Sequence, residues 1–497
     1  MTGPRRPGAR PACYRGLVAE TGREWWTADP ERDRAGEVLQ LRLLGFADPA
    51  RDRRWSVALL VVLVASRLAA LPMAPWDQDE AYLALGVAGF DPGALSPHPP
   101  WFPLWIVVGK ALLAVIGDPA RALAVAGAVA GGLMLWPVAA LWARVLERRL
   151  ALLAAALVVA APGPWLLAAR GTTEAPATAL LAVAAARWLA PRPTTRTTVL
   201  GSLLLGLSLL VRPQLAPAAL VLALWRSRRA RALDACAPAL AVLAVGAVGL
   251  VLAAGGPSVL VGAAREHAAL HLDGLGDNHY GFASWCVPRA LGSDIAGALL
   301  STLAVVGSAA LLRRWRTRPA GSVILLALLL PLVVTTSFLQ NGTLARYAIP
   351  LLALGAGAAV VGAVVLVGRW APAVAGAGVV ALALHTTSAL PAATAGPPVT
   401  AALVSAEAMG PQVVADDRLH AFVELGRRTG GPGASTVLAA PAGLGLVAPG
   451  TPVVRVLELG SGPPPPAAEL FRAGHPLLQR LAAGRFVELA VAVADQP

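Results

Sequence analysis

Residues 55–82 read WSVALLVVLVASRLAALPMAPWDQDEAY and join a long apolar segment directly to a cluster of acids. The apolar part, about Trp55–Ala74, has the roughly twenty residues that a helix needs to cross a hydrocarbon core of about 30 Å. Three carboxylates follow it within four positions, at Asp77, Asp79 and Glu80. Acids are costly beside lipid unless they face water, a cation or a substrate. The stretch therefore predicts a membrane helix whose outer end adjoins a polar site.

The composition of the whole chain extends this prediction. Of its 497 residues, 57% are hydrophobic and 14% are charged, and the mean hydropathy is +0.65. Soluble domains have about a quarter of their residues charged, so we predict an all-α polytopic membrane protein. The net charge of +13 comes from arginines that lie in short clusters between apolar segments. This arrangement is typical of membrane topology and argues against a nucleic-acid partner.

Apolar segments of spanning length recur through the middle of the chain, and we predict about eleven transmembrane helices. With the N-terminus inside, every arginine cluster falls on the cytoplasmic side, as the positive-inside rule requires. If Trp101–Gly117 also crossed the membrane, all the later arginine clusters would lie on the outer side. We therefore predict that this segment is an interfacial or re-entrant helix on the outer face. The clusters lie at 144–149, 187–196, 226–231 and 313–318, and the predicted spans are about 55–74, 120–142, 150–168, 173–190, 197–211, 214–225, 236–255, 291–312, 321–339, 345–367 and 371–391.

This topology divides the chain into three parts. Residues 1–54 are predicted to form a cytoplasmic N-terminal tail. Residues 55–391 form the predicted transmembrane domain, with external loops at 75–119 and 256–290. Residues 392–497 are predicted to lie on the extracytoplasmic side of the membrane. The expected location of the protein is a bacterial plasma membrane.

The C-terminal part is predicted to be a small α/β domain. Two β-like runs, Thr436–Ala440 and Pro452–Leu457, precede a helical pattern over Glu469–Ala482. A proline run, Pro463–Pro466, stands between them as a stiff connector.

The acid cluster has two interpretations. Adjacent carboxylates can divide the roles of general base and of substrate or metal ligand. Acids are also preferred in the first turn of a helix, and Glu80–Gly89 is a predicted helix. A second polar element, SPHPPW at residues 96–101, places His98 near the predicted bilayer surface. The residues by themselves leave the structural and the functional interpretation open for both elements.

The order of these elements resembles that of the GT-C glycosyltransferases. The first span, Asp-Glu-Ala-Tyr at 79–82, His-Pro-Pro at 98–100 and the apolar segment that follows are similar to the branch with protein O-mannosyltransferases and the aminoarabinose transferases of lipid A. The resemblance covers roughly Trp55–Leu390. It implies a GT-C fold and transfer of a sugar from a polyprenyl-phosphate carrier on the outer face.

The resemblance also implies roles for particular residues. Asp79 and Glu80 match the family's acidic pair, with Asp79 as the general base, although Asp77 is an additional acid and either aspartate could be the base. Glu174 stands where the family usually has aspartate, and it would orient the acceptor or a metal. The alternative interpretation of Glu174 is structural, as part of a capping box at a helix N-terminus with Thr172 or Thr173 before the acid.

A second group of residues is expected to bind the donor. Arg346 and Tyr347 match the family's Arg-Tyr element, and a guanidinium can hold a phosphate by paired hydrogen bonds. The alternative interpretation is that Arg346 and Tyr347 only anchor the chain at the membrane interface. Arg212 is a second external arginine and a weaker candidate for the same role. His267 and His271 are four residues apart on the loop that helps to enclose donor and acceptor in the family, so we expect substrate contacts there.

The resulting prediction is a membrane glycosyltransferase that moves mannose or arabinose from a polyprenyl phosphate to a glycan, lipid or protein acceptor of the cell envelope. No metal ligand is assigned, because two histidines do not complete a zinc site, and a divalent cation stays an open alternative. The rival prediction is a polytopic transporter or lipid flippase. Such a protein should carry mid-span charges or broken helices at matching positions in two halves.

Overall fold

A computed structural model describes most of the helical part and selected segments of the C-terminal tail. The predicted cytoplasmic tail lies outside the described residues up to residue 48. The described ranges are 49–72, 74–94, 96–228, 232–274, 286–317, 319–338, 340, 344–394, 397–409, 413–416, 419–430, 437–439, 453–458, 469–472, 476–481 and 488–494.

Helices dominate the described chain. They are α1 (Pro49–Leu68), α2 (Gln78–Ala88), α3 (Pro103–Ile116), α4 (Pro119–Leu133), α5 (Leu135–Trp142), α6 (Arg148–Ala160), α7 (Glu174–Trp188), α8 (Thr195–Val211), α9 (Ala216–Ser227), α10 (Ala232–Ala253), α11 (Pro257–Gly274), α12 (Cys286–Ala290), α13 (Asp294–Arg313), α14 (Pro319–Val323), α15 (Leu330–Phe338), α16 (Ala348–Val367), α17 (Ala371–Ser388), α18 (Leu390–Thr394), α19 (Pro398–Met409), α20 (His420–Thr429) and α21 (Pro476–Leu481).

Several of these helices are long and apolar enough to cross a bilayer. The described residues contain five such helices, and a sixth if α6 and Gly163–Arg170, which meet at 66°, form one bent span. A multi-pass membrane protein is thereby confirmed, whereas the count of eleven stays a prediction. Each predicted span overlaps at least one helix, although α1 ends at Leu68 before the predicted end at Ala74, and the 44 residues of Ala345–Ser388 cover two spans. The five helices are Pro119–Trp142, Ala232–Ala253, Asp294–Arg313, Pro319–Phe338 and Ala345–Ser388.

Helix α10 shows the burial pattern of a lipid-facing span. Its buried residues are the small Ala235 and Ala239, whereas Val245 and Leu252 are each 75% exposed. An apolar surface of this kind would be costly in water, and in a bilayer it faces acyl chains. Helix α10 therefore directs its small residues towards the protein and its large aliphatic residues towards lipid.

Close approach of glycines joins α13 to α16. A Cβ atom added at Gly362 would lie 2.0 Å from the carbonyl oxygen of Leu303, and one at Gly307 would lie even closer to the carbonyl oxygen of Ala358. Small residues permit such backbone contacts between membrane helices, where no water is expelled and packing drives association.

The C-terminal tail contains a five-stranded sheet in the order β2-β1-β3-β5-β4. β1 pairs in parallel with β2 and β3, and β5 pairs antiparallel with β3 and β4. That residues 392–497 form a separate domain stays a prediction. The strands are β1 (Val413–Asp416), β2 (Val437–Ala439), β3 (Val453–Glu458), β4 (Glu469–Arg472) and β5 (Glu488–Ala494).

The helix predicted over Glu469–Ala482 is wrong in its first part. Glu469–Arg472 is strand β4, and Phe471 pairs with Leu489 across the sheet. Among the described residues of this segment, Pro476–Leu481 is helical, which agrees with the preference of proline for the first helical position. Pairing with β5 supplies backbone hydrogen bonds that the local sequence pattern does not reveal.

Two helices of the tail pack on the membrane part. Leu477 and Leu481 of α21 belong to the large apolar core of the membrane helices. Phe422 of α20 shares a second core with Ala84 and Leu85 of α2. Helix α2, which carries the acid cluster, is therefore held from its other side by the tail.

We expect Gly362→Ala to lower the thermal stability of the detergent-solubilised protein. The new methyl group would overlap the α13 backbone, and overpacking of this kind costs about 1–3 kcal/mol. Gly355→Ala is the matched control on the same helix, since an added Cβ there meets no atom of the described chain within 4 Å. Equal unfolding temperatures for the two variants would contradict the close helix contact.

Candidate functional site

The three acids that follow α1 have different environments. Asp77 is the N-cap of α2, and its Oδ1 accepts a hydrogen bond of 3.1 Å from the backbone N–H of Asp79. Glu80 is 5% exposed, and its Oε2 accepts a 2.8 Å bond from the backbone N–H of Trp76. The side chain of Asp79 is 27% exposed. The capping interpretation therefore holds for Asp77, while Asp79 faces the open part of the site.

Arg346 connects the acids of two distant parts of the chain. Its Nη2 forms a short ion pair with Oδ2 of Asp79. Its Nη1 lies 3.8 Å from Oδ2 of Asp77, and its Nε lies 3.6 Å from Oε1 of Glu174. The residues that the resemblance selected thus meet around one guanidinium, although up to 269 positions separate them.

Glu174 forms a buried ion pair with Arg212. The distance from Oε1 to Nη1 is 2.9 Å, and the same Nη1 donates a 2.8 Å bond to Oγ1 of Thr173. The capping-box interpretation of Glu174 is wrong. Thr173 is the N-cap of α7 but makes no side-chain capping bond within the described structure, and Oγ1 of Thr172 donates to the carbonyl of Leu167 instead. Two guanidinium groups compete for the carboxylate more strongly than a backbone N–H does.

Tyr347 lies between the two arginines. The guanidinium carbons of Arg212 and Arg346 are each 5.3 Å from the centre of its ring. A ring quadrupole attracts cations at this distance. The Arg-Tyr element is thus part of the polar site, which favours the binding interpretation over that of a simple interfacial anchor.

His98 closes one side of the site. Its Nε2 is 4.0 Å from Oδ1 of Asp79, and its ring lies 5.7 Å from those of Tyr82 and Phe102. The ring of His267, on α11, is 5.4 Å away. The described parts of the predicted external loop 256–290 are helical over Pro257–Gly274 and Cys286–Ala290, and the loop reaches the site through His267.

The side chain of His271 lies outside the described residues. Across the described chain, no three His, Cys, Asp or Glu side chains come together as a metal site would require. The divalent cation stays an open alternative.

Two small pockets adjoin Arg346. Both are lined by Glu80, Thr172 and Arg346, which stand between them. We call the first the Arg170 pocket, which is completed by Trp76, Asp77, Leu167, Arg170, Leu344, Ala345 and Leu481. We call the second the Asp79 pocket, which is completed by Asp79, Leu83, His98, Phe102, Thr173, Glu174, Arg212, Gln214 and Tyr347.

Arg170 and Trp76 were not selected from the sequence. Arg170 is 7% exposed, and its guanidinium carbon lies 4.7 Å from the ring of Trp76. One signal was available, because Arg170 lies in a predicted external segment and breaks the arginine-inside pattern, as Arg212 does. Gln214, which lines the Asp79 pocket, left no comparable signal.

Burial raises the pKa of Glu80 to about 8, from an ordinary value of 4.5. The charge of Asp77 raises it further, whereas Arg170, Arg346 and the N–H of Trp76 oppose the rise. Burial prevails because a carboxylate loses its hydration when it is enclosed. Glu80 is therefore mostly protonated at neutral pH, and the other carboxylates that contact Arg346 are those of Asp77, Asp79 and Glu174.

No protein-family model and no curated protein matches the chain. Comparison with solved structures identifies the class of fold: this is a multi-pass membrane protein with the GT-C fold. The particular structure that carries this conclusion is ArnT from Cupriavidus metallidurans bound to undecaprenyl phosphate. Its TM-score is 0.51 at 14% identity, covering 89% of this chain and 99% of ArnT. The fold predicted from the order of the motifs is confirmed.

Two further solved structures are similar at lower scores. The apo state of the same ArnT has a TM-score of 0.43 at 15% identity, covering 89% of this chain and 99% of that one. The Archaeoglobus fulgidus oligosaccharyltransferase tethered with an acceptor peptide has a TM-score of 0.45 at 13% identity. The match covers 75% of this chain and 63% of the oligosaccharyltransferase chain.

The contribution of Glu80 to stability is expected to fall as the pH rises from about 4.5 to about 8, because the folded protein keeps a proton on Glu80 that the unfolded chain loses. Glu80→Gln should flatten this part of the profile, since the amide stays neutral throughout. Thermal unfolding in detergent across this pH range measures the effect. Glu424→Gln, at a partly exposed position on α20, is the control and should keep the wild-type slope. An unchanged slope in Glu80→Gln would contradict the assignment.

Proposed function

We propose that the protein is a glycosyltransferase that uses a polyprenyl-phosphate-linked sugar as its donor. The observation that supports this most directly is the meeting of Asp79, Glu174 and Arg346 between two pockets. A carboxylate that can accept a proton and a cation that can bind phosphate are the groups that such a transfer needs. The GT-C fold agrees with it, and the ArnT structure with this fold was solved bound to undecaprenyl phosphate.

The reaction can be written as a single displacement. Asp79 takes the proton of an acceptor hydroxyl, and that oxygen forms a bond to the anomeric carbon of the sugar. The bond from the anomeric carbon to the phosphate oxygen breaks, and its electron pair leaves with polyprenyl phosphate. The leaving group needs stabilisation of negative charge, which Arg346 supplies. Such a displacement inverts the anomeric centre.

The ion pair between Arg346 and Asp79 suits this sequence of events. A donor phosphate would compete for the guanidinium through charge-assisted hydrogen bonds. Donor binding would then free the Asp79 carboxylate for the acceptor.

Asp79 is preferred to Asp77 as the base because of their surroundings. One oxygen of Asp77 is occupied in capping α2, and its side chain is 18% exposed against 27% for Asp79. Asp79 also lines the pocket that contains His98, Glu174 and Arg212, which offers room and polar partners for an acceptor. Glu174, held by two arginines, would orient the acceptor.

We further propose mannose or arabinose as the donor sugar, and a glycan, lipid or protein of the envelope as the acceptor. The site would then lie at the outer face of a bacterial plasma membrane. The N-terminal tail 1–54 would be cytoplasmic, and the C-terminal part 392–497 would be an extracytoplasmic domain beside the site.

Transport is the second candidate function, and one observation favours it. Transporters build their sites from broken helices, and α6 with Gly163–Arg170 is bent by 66°. A transporter would carry matching breaks in its two halves. The described residues contain one bent pair that is long and apolar enough to span, and its end contributes Arg170 to the site.

Sugar transfer by Asp79→Asn is the first test of the transferase. We expect a loss of about 10²- to 10⁴-fold in rate, because the amide cannot accept the acceptor's proton. The assay uses purified protein, synthetic short-chain polyprenyl-phosphate mannose or arabinose, and envelope extract. Asp118→Asn is the control, because this exposed residue caps α4 and asparagine caps equally well.

The outcomes separate the candidates. Full transfer by Asp79→Asn would move the base to Asp77. No transfer by the wild type with several donor sugars would contradict the transferase and favour transport.

A further inference from the structure

The Arg170 pocket contains buried donors that no described group satisfies. Nη2 of Arg170 and Nε1 of Trp76 have no hydrogen-bond partner in the structure as described, and the two residues are 7% and 3% exposed. A buried unsatisfied donor costs about 1–3 kcal/mol, more when it is charged. Two such donors in one pocket therefore point to a ligand that is rich in acceptors.

The charge of the pocket favours an anion. Arg170 and Arg346 contribute two positive charges. Asp77 contributes one negative charge, whereas Glu80 is mostly neutral because burial raises its pKa to about 8. Counted over its own lining residues, the pocket is thus net positive at neutral pH, while Asp79 and Glu174 contact Arg346 from the Asp79 pocket.

The remaining wall of the pocket is apolar. Leu167, Leu344 and Leu481 line it, and all three are almost fully buried. Leu481 comes from α21 of the tail, which packs into the membrane core. A free inorganic anion would gain nothing from these side chains, while a phosphate attached to a hydrocarbon chain would contact both walls at once.

We propose that the Arg170 pocket binds the phosphate and the first prenyl carbons of the lipid-linked donor. Arg170 and Arg346 would hold the phosphate from two sides, Trp76 would donate through Nε1, and the leucines would receive the chain. Arg170 and Trp76 are then substrate-binding residues that the sequence did not reveal. The inference rests on the proposed function, and it assigns the Asp79 pocket to the acceptor.

Binding of a short-chain polyprenyl phosphate to the purified full-length protein tests this assignment. We expect Arg170→Gln to weaken binding about 10- to 100-fold, the loss of a hydrogen bond to a charged group. Arg170→Lys should recover part of the affinity, since it keeps the charge but not the fork of donors. Arg192→Gln, which removes an exposed arginine of a predicted cytoplasmic loop, is the charge-matched control and should bind like the wild type.

Trp76→Phe keeps the ring beside Arg170 and removes only the Nε1 donor. It should fold like the wild type and bind polyprenyl phosphate more weakly, so it tests the pocket even if Arg170→Gln fails to fold. Inorganic phosphate and the uncharged polyprenol separate the two parts of the ligand. We expect both to bind more weakly than polyprenyl phosphate, and the affinity for polyprenol to be the same in wild type and Trp76→Phe.

The outcomes distinguish this inference from the transferase itself. Unchanged polyprenyl-phosphate affinity in Arg170→Gln and Trp76→Phe, with sugar transfer by the wild type, would overturn the pocket and leave the transferase. A loss in Arg212→Gln alone would place the phosphate in the Asp79 pocket and overturn the inference. Loss of binding in both pocket variants, without transfer by the wild type, would support a lipid-phosphate site and contradict the transferase. No binding by the wild type would overturn both proposals.

Discussion

The arrangement of the site depends on the guanidinium of Arg346. A buried arginine without a partner carries a penalty of several kcal/mol, so carboxylates must come to it. Asp77 and Asp79 come from the start of α2, and Glu174 from the start of α7. The N-termini of these helices favour negative charge, which makes them suitable places for the acids. One cation thus fixes where α2 and α7 begin relative to the segment before α16.

Helix α2 can hold its acids in place because both of its faces are packed. Leu83 and Val87 lie in the core of the membrane helices, while Ala84 and Leu85 pack with the tail around Phe422. A short helix gains little stability from its own hydrogen bonds and depends on such packing. The tail therefore supports the site twice, once behind α2 and once through Leu481 at the Arg170 pocket.

The sequence predicted the features that depend on local pattern and failed on those that depend on distant contacts. Apolar runs located the helices, and the motif order selected Asp79, Glu174 and Arg346. The pairing of Arg212 with Glu174 could not be foreseen, because local sequence favours a cap at Thr173, and only the fold brings in a competing guanidinium. The stacking of Arg170 on Trp76 joins residues 94 positions apart, and neither stands in a motif.

The division of the site by Arg346 gives a physical reason for the two neighbouring aspartates. Asp77 lines the Arg170 pocket and Asp79 lines the Asp79 pocket, so the guanidinium has a carboxylate on each side. In a displacement with inversion, the attacking hydroxyl and the leaving phosphate lie on opposite sides of the anomeric carbon. If the phosphate binds beside Arg170, a base at Asp77 would lie on the leaving-group side and would repel the charge that develops there. With the phosphate in the Arg170 pocket, Asp79 would lie on the side from which the hydroxyl attacks. The assignment of the pockets and the choice of base are therefore linked. If the phosphate bound in the Asp79 pocket, that pocket would hold the donor, and Asp77 would be the base.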